Sequence, residues 1–284
     1  MGTCVTPPPN DNRSSAHPIT LSTGEVTVTG TTVGATFDGP MPSMPCGCAV
    51  GPNVWYSITV TQREVLYIDT AGTGFDTTLT ATDSVGTFIG CNDNADCTTE
   101  GFTALTQSWI FGAVLAGTYD LAVGGCTQGA FTLHVQHLPS SLGSNFIDEP
   151  LTGTGTTPMA TLGGVSAQTS LSCGGSASGE DVRWFATCGG QPQLFSLCSA
   201  DGATFTRAIG AISFDPAMYL RSGLTGNEAT CDDDAPGCTG TGGDLNQWGS
   251  RLSDVGVGRG IHAVFVDERT GGPGMMYTLH YVIR

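Results

Sequence analysis

The sequence predicts an all-β protein made of two tandem antiparallel β-sandwiches, jelly-roll-like in kind. Three observations predict it. First, the 284 residues include 42 Gly and 15 Pro, and Gly, Pro, Asp and Asn recur at short intervals between β-branched runs, the mark of short strands and many turns. Second, those runs alternate apolar and polar residues, and none holds a helical period; only residues 102–115 have the length, and their spacing does not settle into one. Third, the chain repeats itself. Gly30-Thr31-Thr32-Val33-Gly34-Ala35-Thr36 recurs as Gly155-Thr156-Thr157-Pro158-Met159-Ala160-Thr161, Phe75-Asp76-Thr77-Thr78-Leu79 as Phe214-Asp215-Pro216-Ala217-Met218, and Thr132-Leu133-His134 as Thr278-Leu279-His280. The order is the same in both halves, and the period of about 140 residues is that of a domain rather than a solenoid unit.

The elements follow in order. Residues 1–9 form a tail, 10–138 the first sandwich, 139–144 a Pro/Ser/Gly linker and 145–284 the second sandwich. Strands are expected at 25–29, 54–61, 64–69, 77–82, 118–123, 193–198, 218–220 and 261–266, about eight per domain. On the second of these, Val54, Tyr56, Ile58 and Val60 face one way and Trp55, Ser57, Thr59 and Thr61 the other. Each domain closes on a matching strand: Phe131, Leu133 and Val135 in the first, Tyr277, Leu279 and Tyr281 in the second, with His134 and His280 on the opposite, solvated face. Two packed sheets bury one face of every such strand, which a single open sheet does not. Trp55 and Trp184 are expected to plug the two cores. The second copy is longer between Trp184 and Phe214, where Cys188 and Cys198 have no counterpart.

The net charge is −16 and all nine basic residues are Arg. Such a chain repels a phosphate backbone and an anionic membrane surface, which excludes nucleic acid as a partner. No apolar run approaches the ~20 residues that span a bilayer. The 11 cysteines recur between the halves without metal-type spacing and point to disulfides in an oxidising compartment, so the protein is read as secreted or cell-surface. No leader peptide is visible; Met1-Gly2 ahead of Thr3-Cys4 reads as a start from which a leader was removed. An odd count leaves one thiol over, and Cys4 in the tail is the natural candidate.

The strongest chemical signal is a pair of acidic loops bracketed by cysteines. The first carries Asn92, Asp93 and Asp96 between Cys91 and Cys97; the second carries Asp232, Asp233 and Asp234 between Cys231 and Cys238. Packed carboxylates repel one another unless solvated or bridged, and hard oxygen ligands on a tight turn suit calcium, with Asp76 and Asp215 placed upstream to complete a shell. The alternative is an Asn/Asp turn bonded to its own backbone. Local disulfides Cys91–Cys97, Cys231–Cys238 and Cys188–Cys198 are expected to pin these loops. Trp109 and Trp248, both just after the acidic loops, are candidate ligand platforms, or buried loop anchors.

These motifs carry a resemblance. Pro9-Asn10-Asp11, Val54-Trp55-Tyr56, Phe75-Asp76-Thr77-Thr78-Leu79, Cys91-Asn92-Asp93, Ala116-Gly117-Thr118-Tyr119 and Phe131-Thr132-Leu133 resemble the bacterial pre-peptidase C-terminal domain, in a cysteine-bearing form. The second copy is similar through Asp181-Val182-Arg183-Trp184-Phe185, Tyr219-Leu220-Arg221-Ser222-Gly223, Cys231-Asp232-Asp233-Asp234, Ser250-Arg251-Leu252 and Tyr277-Thr278-Leu279. It departs at Asn145-Phe146-Ile147-Asp148 and at Leu224, where a cysteine is usual. The resemblance implies a jelly-roll sandwich, a secreted non-catalytic accessory role and calcium near the Asn10-Asp11 entry segment. No nucleophile elbow, zinc-protease helix or phosphate loop is present, so no enzyme is expected. Two readings remain: a module binding an extracellular polysaccharide, a surface protein or a fused enzyme, or a structural subunit pairing with copies of itself through edge strands that carry no lysine.

Overall fold

The computed structural model describes residues 5–38, 46, 51–95, 106–139, 150–160, 173, 181–206, 216–223, 228–238, 249–268 and 276–284. The chain divides into two compact units, Met1–Ser140 and Ser141–Arg284.

Among its described residues the first unit holds nine strands: β1 (His17–Ile19), β2 (Val26–Thr31), β3 (Val54–Val60), β4 (Glu64–Asp69), β5 (Thr77–Asp83), β6 (Phe88–Asn92), β7 (Trp109–Val114), β8 (Gly117–Gly125) and β9 (Ala130–Pro139). They form two sheets, ordered β1-β3-β8-β5-β6 and β2-β9-β4-β7. Apart from β1, which runs parallel to β3, every pairing is antiparallel. The pairs β2·β9, β3·β8, β4·β7 and β5·β6 are nested, first with last and inward to one hairpin, as when a long two-stranded ribbon is rolled into a sandwich. That is the jelly roll.

The second unit repeats the winding with β10 (Thr154–Ala160), β11 (Asp181–Cys188), β12 (Pro192–Ser196), β13 (Phe205–Thr206), β14 (Pro216–Ser222), β15 (Glu228–Asp232), β16 (Arg251–Gly256), β17 (Arg259–Glu268) and β18 (Met276–Val282). Its sheets run β11-β17-β14-β15 and β10-β18-β12-β16, with β13 as a short addition beside β18. Removing β1 and β13 leaves identical orders, so the collinear motifs of the sequence occupy equivalent strands.

Each core lies between its own sheets. In the first unit Val54, Tyr56, Ile58, Val60, Leu79, Leu121 and Val123 of one sheet meet Leu66, Ile68, Phe131, Leu133 and Val135 of the other. In the second, Phe185, Met218, Leu220, Val264 and Val266 meet Met159, Phe195, Leu252, Tyr277 and Leu279. The repeated Gly-Thr-Thr motif has a packing cause. Gly30 lies opposite Phe131, and a Cβ there would strike that ring and the Tyr56 hydroxyl; Gly155 lies opposite Tyr281, whose ring occupies the same space.

The two tryptophans correct an expectation. Trp55 and Trp184 are buried, yet neither is part of the described cluster between its unit's two sheets. Period two settles it: Tyr56 and Phe185 point inward, so their neighbours Trp55 and Trp184 lie on the outer faces. Trp55 is covered by the entry segment, where the Arg13 guanidinium sits 5.7 Å above the ring and pairs with Asp120 at 2.7 Å. Asn10 exchanges two bonds with the Trp55 backbone, and both carboxylate oxygens of Asp11 accept from Thr36. The Asn10-Asp11 motif thus latches the chain's entry onto the sheet.

Candidate functional site at the acidic loops and the aromatic edge

Both acidic loops leave a sheet-edge strand and cross to the opposite sheet, and the two units anchor them in the same way. Asn92 and Asp232 pair with Leu79 and Met218 and so point inward. Asn92 Oδ1 accepts the Trp109 amide at 3.1 Å, and Asp232 Oδ2 accepts the Arg251 amide at 2.8 Å, joining the sheets at their open edge. One residue earlier on each opposing strand stands a buried serine. Ser108 donates its hydroxyl to the carbonyls of Thr77 (2.6 Å) and Asp93 (2.9 Å); Ser250 does the same to Pro216 and Asp233. Ala95 and Ala235 then dock by their amides onto the carbonyls of Gln107 and Gly249. Sequence reasoning missed these serines; Ser250-Arg251-Leu252 was read only as a motif, and its unnoticed match to Ser108-Trp109-Ile110 is the signal that could have found them.

The disulfides overturn the expected local pairs. Cys91 bonds Cys46, Cys231 bonds Cys173, and Cys198 bonds Cys238. Cys91–Cys97, Cys231–Cys238 and Cys188–Cys198 therefore do not form. The reason is strand direction. Cys91 and Cys231 lie opposite Thr80 and Tyr219 and face outward, toward the connection that precedes β3 or β11. Cys238 has meanwhile crossed to the other sheet, where the end of β12 presents Cys198 with a Cα–Cα distance of 4.8 Å. Gly249 is required beside this bond, since a Cβ there would meet the Cys238 sulfur. Cys126 and Cys188 are also disulfide-bonded. Bridges of this number point to an oxidising, extracellular compartment. Cys97, like Asp96, Asp215 and Trp248, lies outside the described residues.

The first loop brings Asp76 and Asp93 together. One oxygen of each, Oδ1, is buried without a hydrogen-bond partner. Burial, and next the Asp93 charge, push the Asp76 carboxyl above its ordinary pKa. In the second loop burial likewise raises Asp232, with Asp234 adding to it against the Arg251 amide. Among the described residues no group of three or more His, Cys, Asp and Glu side chains converges as a metal site.

Beside the first loop the outer face of β7 is aromatic. Trp109 and Phe111, two residues apart and therefore on one face, stack at 4.9 Å with 15° between planes, and Trp109 also rests on the buried Tyr67 at 5.6 Å. Both are half-buried, so Trp109 is an edge residue of a strand and part of a ring pair that solvent reaches. The equivalent position in the second unit is Arg251, paired with Asp201 at 3.1 Å. Among the described residues no helix is long and apolar enough to cross a membrane.

No protein-family model matches the chain, and no curated protein matches it. Among solved structures it is similar to the pre-peptidase C-terminal domain of a collagenase from Bacillus anthracis, at 14% identity and TM-score 0.28, covering 43% of this chain and 93% of that one. A protein described as secreted, from Eubacterium rectale, is similar at 13% identity and TM-score 0.22, covering 81% of this chain and 69% of that one. The ANX2 ectodomain from Arabidopsis thaliana is similar at 8% identity and TM-score 0.21, with 82% of each chain covered.

Proposed function

We propose that this protein is a secreted, non-catalytic binding module that attaches to an extracellular polysaccharide, and that the first unit does the gripping. The observation that carries the reading is the Trp109–Phe111 stack: two half-buried rings held flat on a sheet edge. Rigid aromatic faces give large contact area at low entropic cost, and the apolar face of a sugar ring lies well on them. The serine-anchored loop beside them holds β7 in place, with Asn92 Oδ1 accepting the Trp109 amide, so the rings are presented on a fixed strand.

The same loop supports calcium at Asp76 and Asp93. Two carboxylates with unpartnered buried oxygens repel each other at neutral pH, and a divalent cation between them would reverse that term. Asn92, Asn94 and loop carbonyls are the neutral oxygens within reach of the same turn.

The test is retention of the full chain on insoluble cellulose and chitin, with collagen fibrils as the protein arm, in calcium and in EDTA. Wild type should be retained on polysaccharide, and Trp109→Ala should lose about tenfold in affinity, the loss of one aromatic anchor worth roughly 1.4 kcal/mol. EDTA should lower the melting temperature of the first unit, and Asp93→Asn should remove that response. Undiminished retention of Trp109→Ala ends the polysaccharide reading, and a melt indifferent to EDTA ends the calcium one. A structural reading is favoured by one specific observation: β6 and β7 end their sheets and carry no charged residue, which leaves both edges open to strand addition by another copy. Concentration-dependent polymers in the same samples would support it.

A further inference from the structure

Between those two edge strands the first unit is not filled. A cavity of about 110 Å³ opens between the sheets, walled by Ile58, Leu66, Ile68, Ile110, Val114 and Leu121. Two glycines make it. Gly90 pairs with Ala81 on one sheet and Gly112 with Leu66 on the other, so both stand at inward positions, and a Cβ on either would meet nothing within 4 Å.

The fold does not need this space. In the second unit Thr230 stands where Gly90 does, opposite Leu220. Gly112 corresponds to Val255, opposite Gln193, reached through a bulge at which Asp254 takes a φ of 55°. That bulge turns Val255 inward, where it packs against the second core.

The walls also say what would enter. The two polar side chains that border the cavity are engaged: the Tyr119 hydroxyl donates to the Leu115 carbonyl at 2.7 Å, and Asp120 holds Arg13. The walls thus offer a water no free side-chain partner, and an apolar cavity of about 150 Å³ stays dry and takes up benzene. The approach is apolar too. Ile89 on the rim is 46% exposed, and the turns at that end present Val85 (84%) and Leu115 (69%).

We infer that this cleft is a binding site for a small uncharged hydrocarbon group, about the size of one aromatic ring or a short branched alkyl chain. Phe111 borders both this cleft and the aromatic face, but its ring stacks on Trp109 on the side of β7 away from the inward Gly112.

Benzene is the probe. In the full-length protein, titration should give a saturable shift of the Gly90 and Gly112 amide resonances and a rise in the first unit's melting temperature. Gly112→Val, which reproduces the second unit's solution, should fold, melt higher and lose the benzene response; Gly90→Ala, a smaller plug on the facing strand, should weaken it and serves if the valine variant fails to fold. The inference is overturned by a wild-type protein whose Gly90 and Gly112 resonances do not move, or by a response that survives both plugs. Polysaccharide retention does not enter this test, so the two proposals fail separately.

Discussion

Strands β7 and β16 hold the same place in the same winding, and they have been put to different use. β7 turns Trp109 and Phe111 outward and leaves a gap at Gly112. β16 turns Arg251 outward to Asp201, bulges at Asp254 and seals the core with Val255. Beside β7 the acidic loop is followed by Gln107, whose amide donates to the Thr73 carbonyl; beside β16 that place belongs to Gly249, which makes room for the Cys198–Cys238 bridge. One edge is aromatic and open, while the other is charged and closed. A duplicated fold thus keeps its loop anchor, Ser108 or Ser250, and spends its variation on the strand next to it.

The largest expected effect tests the bridges. Replacing Cys46 and Cys91 together with alanine releases a loop of sequence separation 45, worth about 4 kcal/mol in the chain-entropy picture. Replacing Cys198 and Cys238 should cost the second unit less, because Cys173–Cys231 still encloses most of the same chain. Calorimetry that resolves the two unfolding steps checks this; equal losses would show the second unit's bridges to act independently.

Next comes acid. His262, inward-facing in the second unit, is buried against Phe185, with Nε2 2.8 Å from the Gly258 carbonyl and Nδ1 3.4 Å from Ser222 Oγ. Burial lowers its pKa from 6.5 to about 4. The folded state therefore keeps it neutral while the unfolded chain takes up a proton below pH 6.5. Its contribution is complete above that pH and is lost as pH falls to about 4, a change of about 3 kcal/mol. The second unit's melting temperature should fall across that window, and His262→Asn should flatten the dependence. A slope unchanged in that variant would assign it to other groups.

The smallest effect sharpens what the units share. Ser108→Ala and Ser250→Ala each strand two carbonyls and should each cost about 2 kcal/mol, in its own unit alone. Denaturant unfolding measures both, and unequal losses would mean that the anchor has diverged along with the edge.

Alternation made the inner strands legible. β4 is read residue for residue, and β3, β5 and β8 to within a few. The edges were not, because Gly90 and Gly112 erase the apolar beat at the inward positions where it would have announced β6 and β7. Disulfide pairing escaped for another reason: sequence distance favoured Cys91–Cys97, whereas strand pleat turns Cys91 outward to meet a connection 45 residues upstream. Trp109 could be picked out as an exposed aromatic candidate, but its stacking on Phe111 and its replacement by Arg251 required the register of β7 and β16.

The Cys46–Cys91 and Cys173–Cys231 bridges also bear on how the protein meets force. Each ties the connection before the second core strand to the edge strand, so a pull on the chain's ends runs through sulfur and bypasses everything enclosed. Spans of 45 and 58 residues could then add no contour length, each residue forgoing about 3.5 Å. A tethered copy would yield in short steps that lengthen only under reductant.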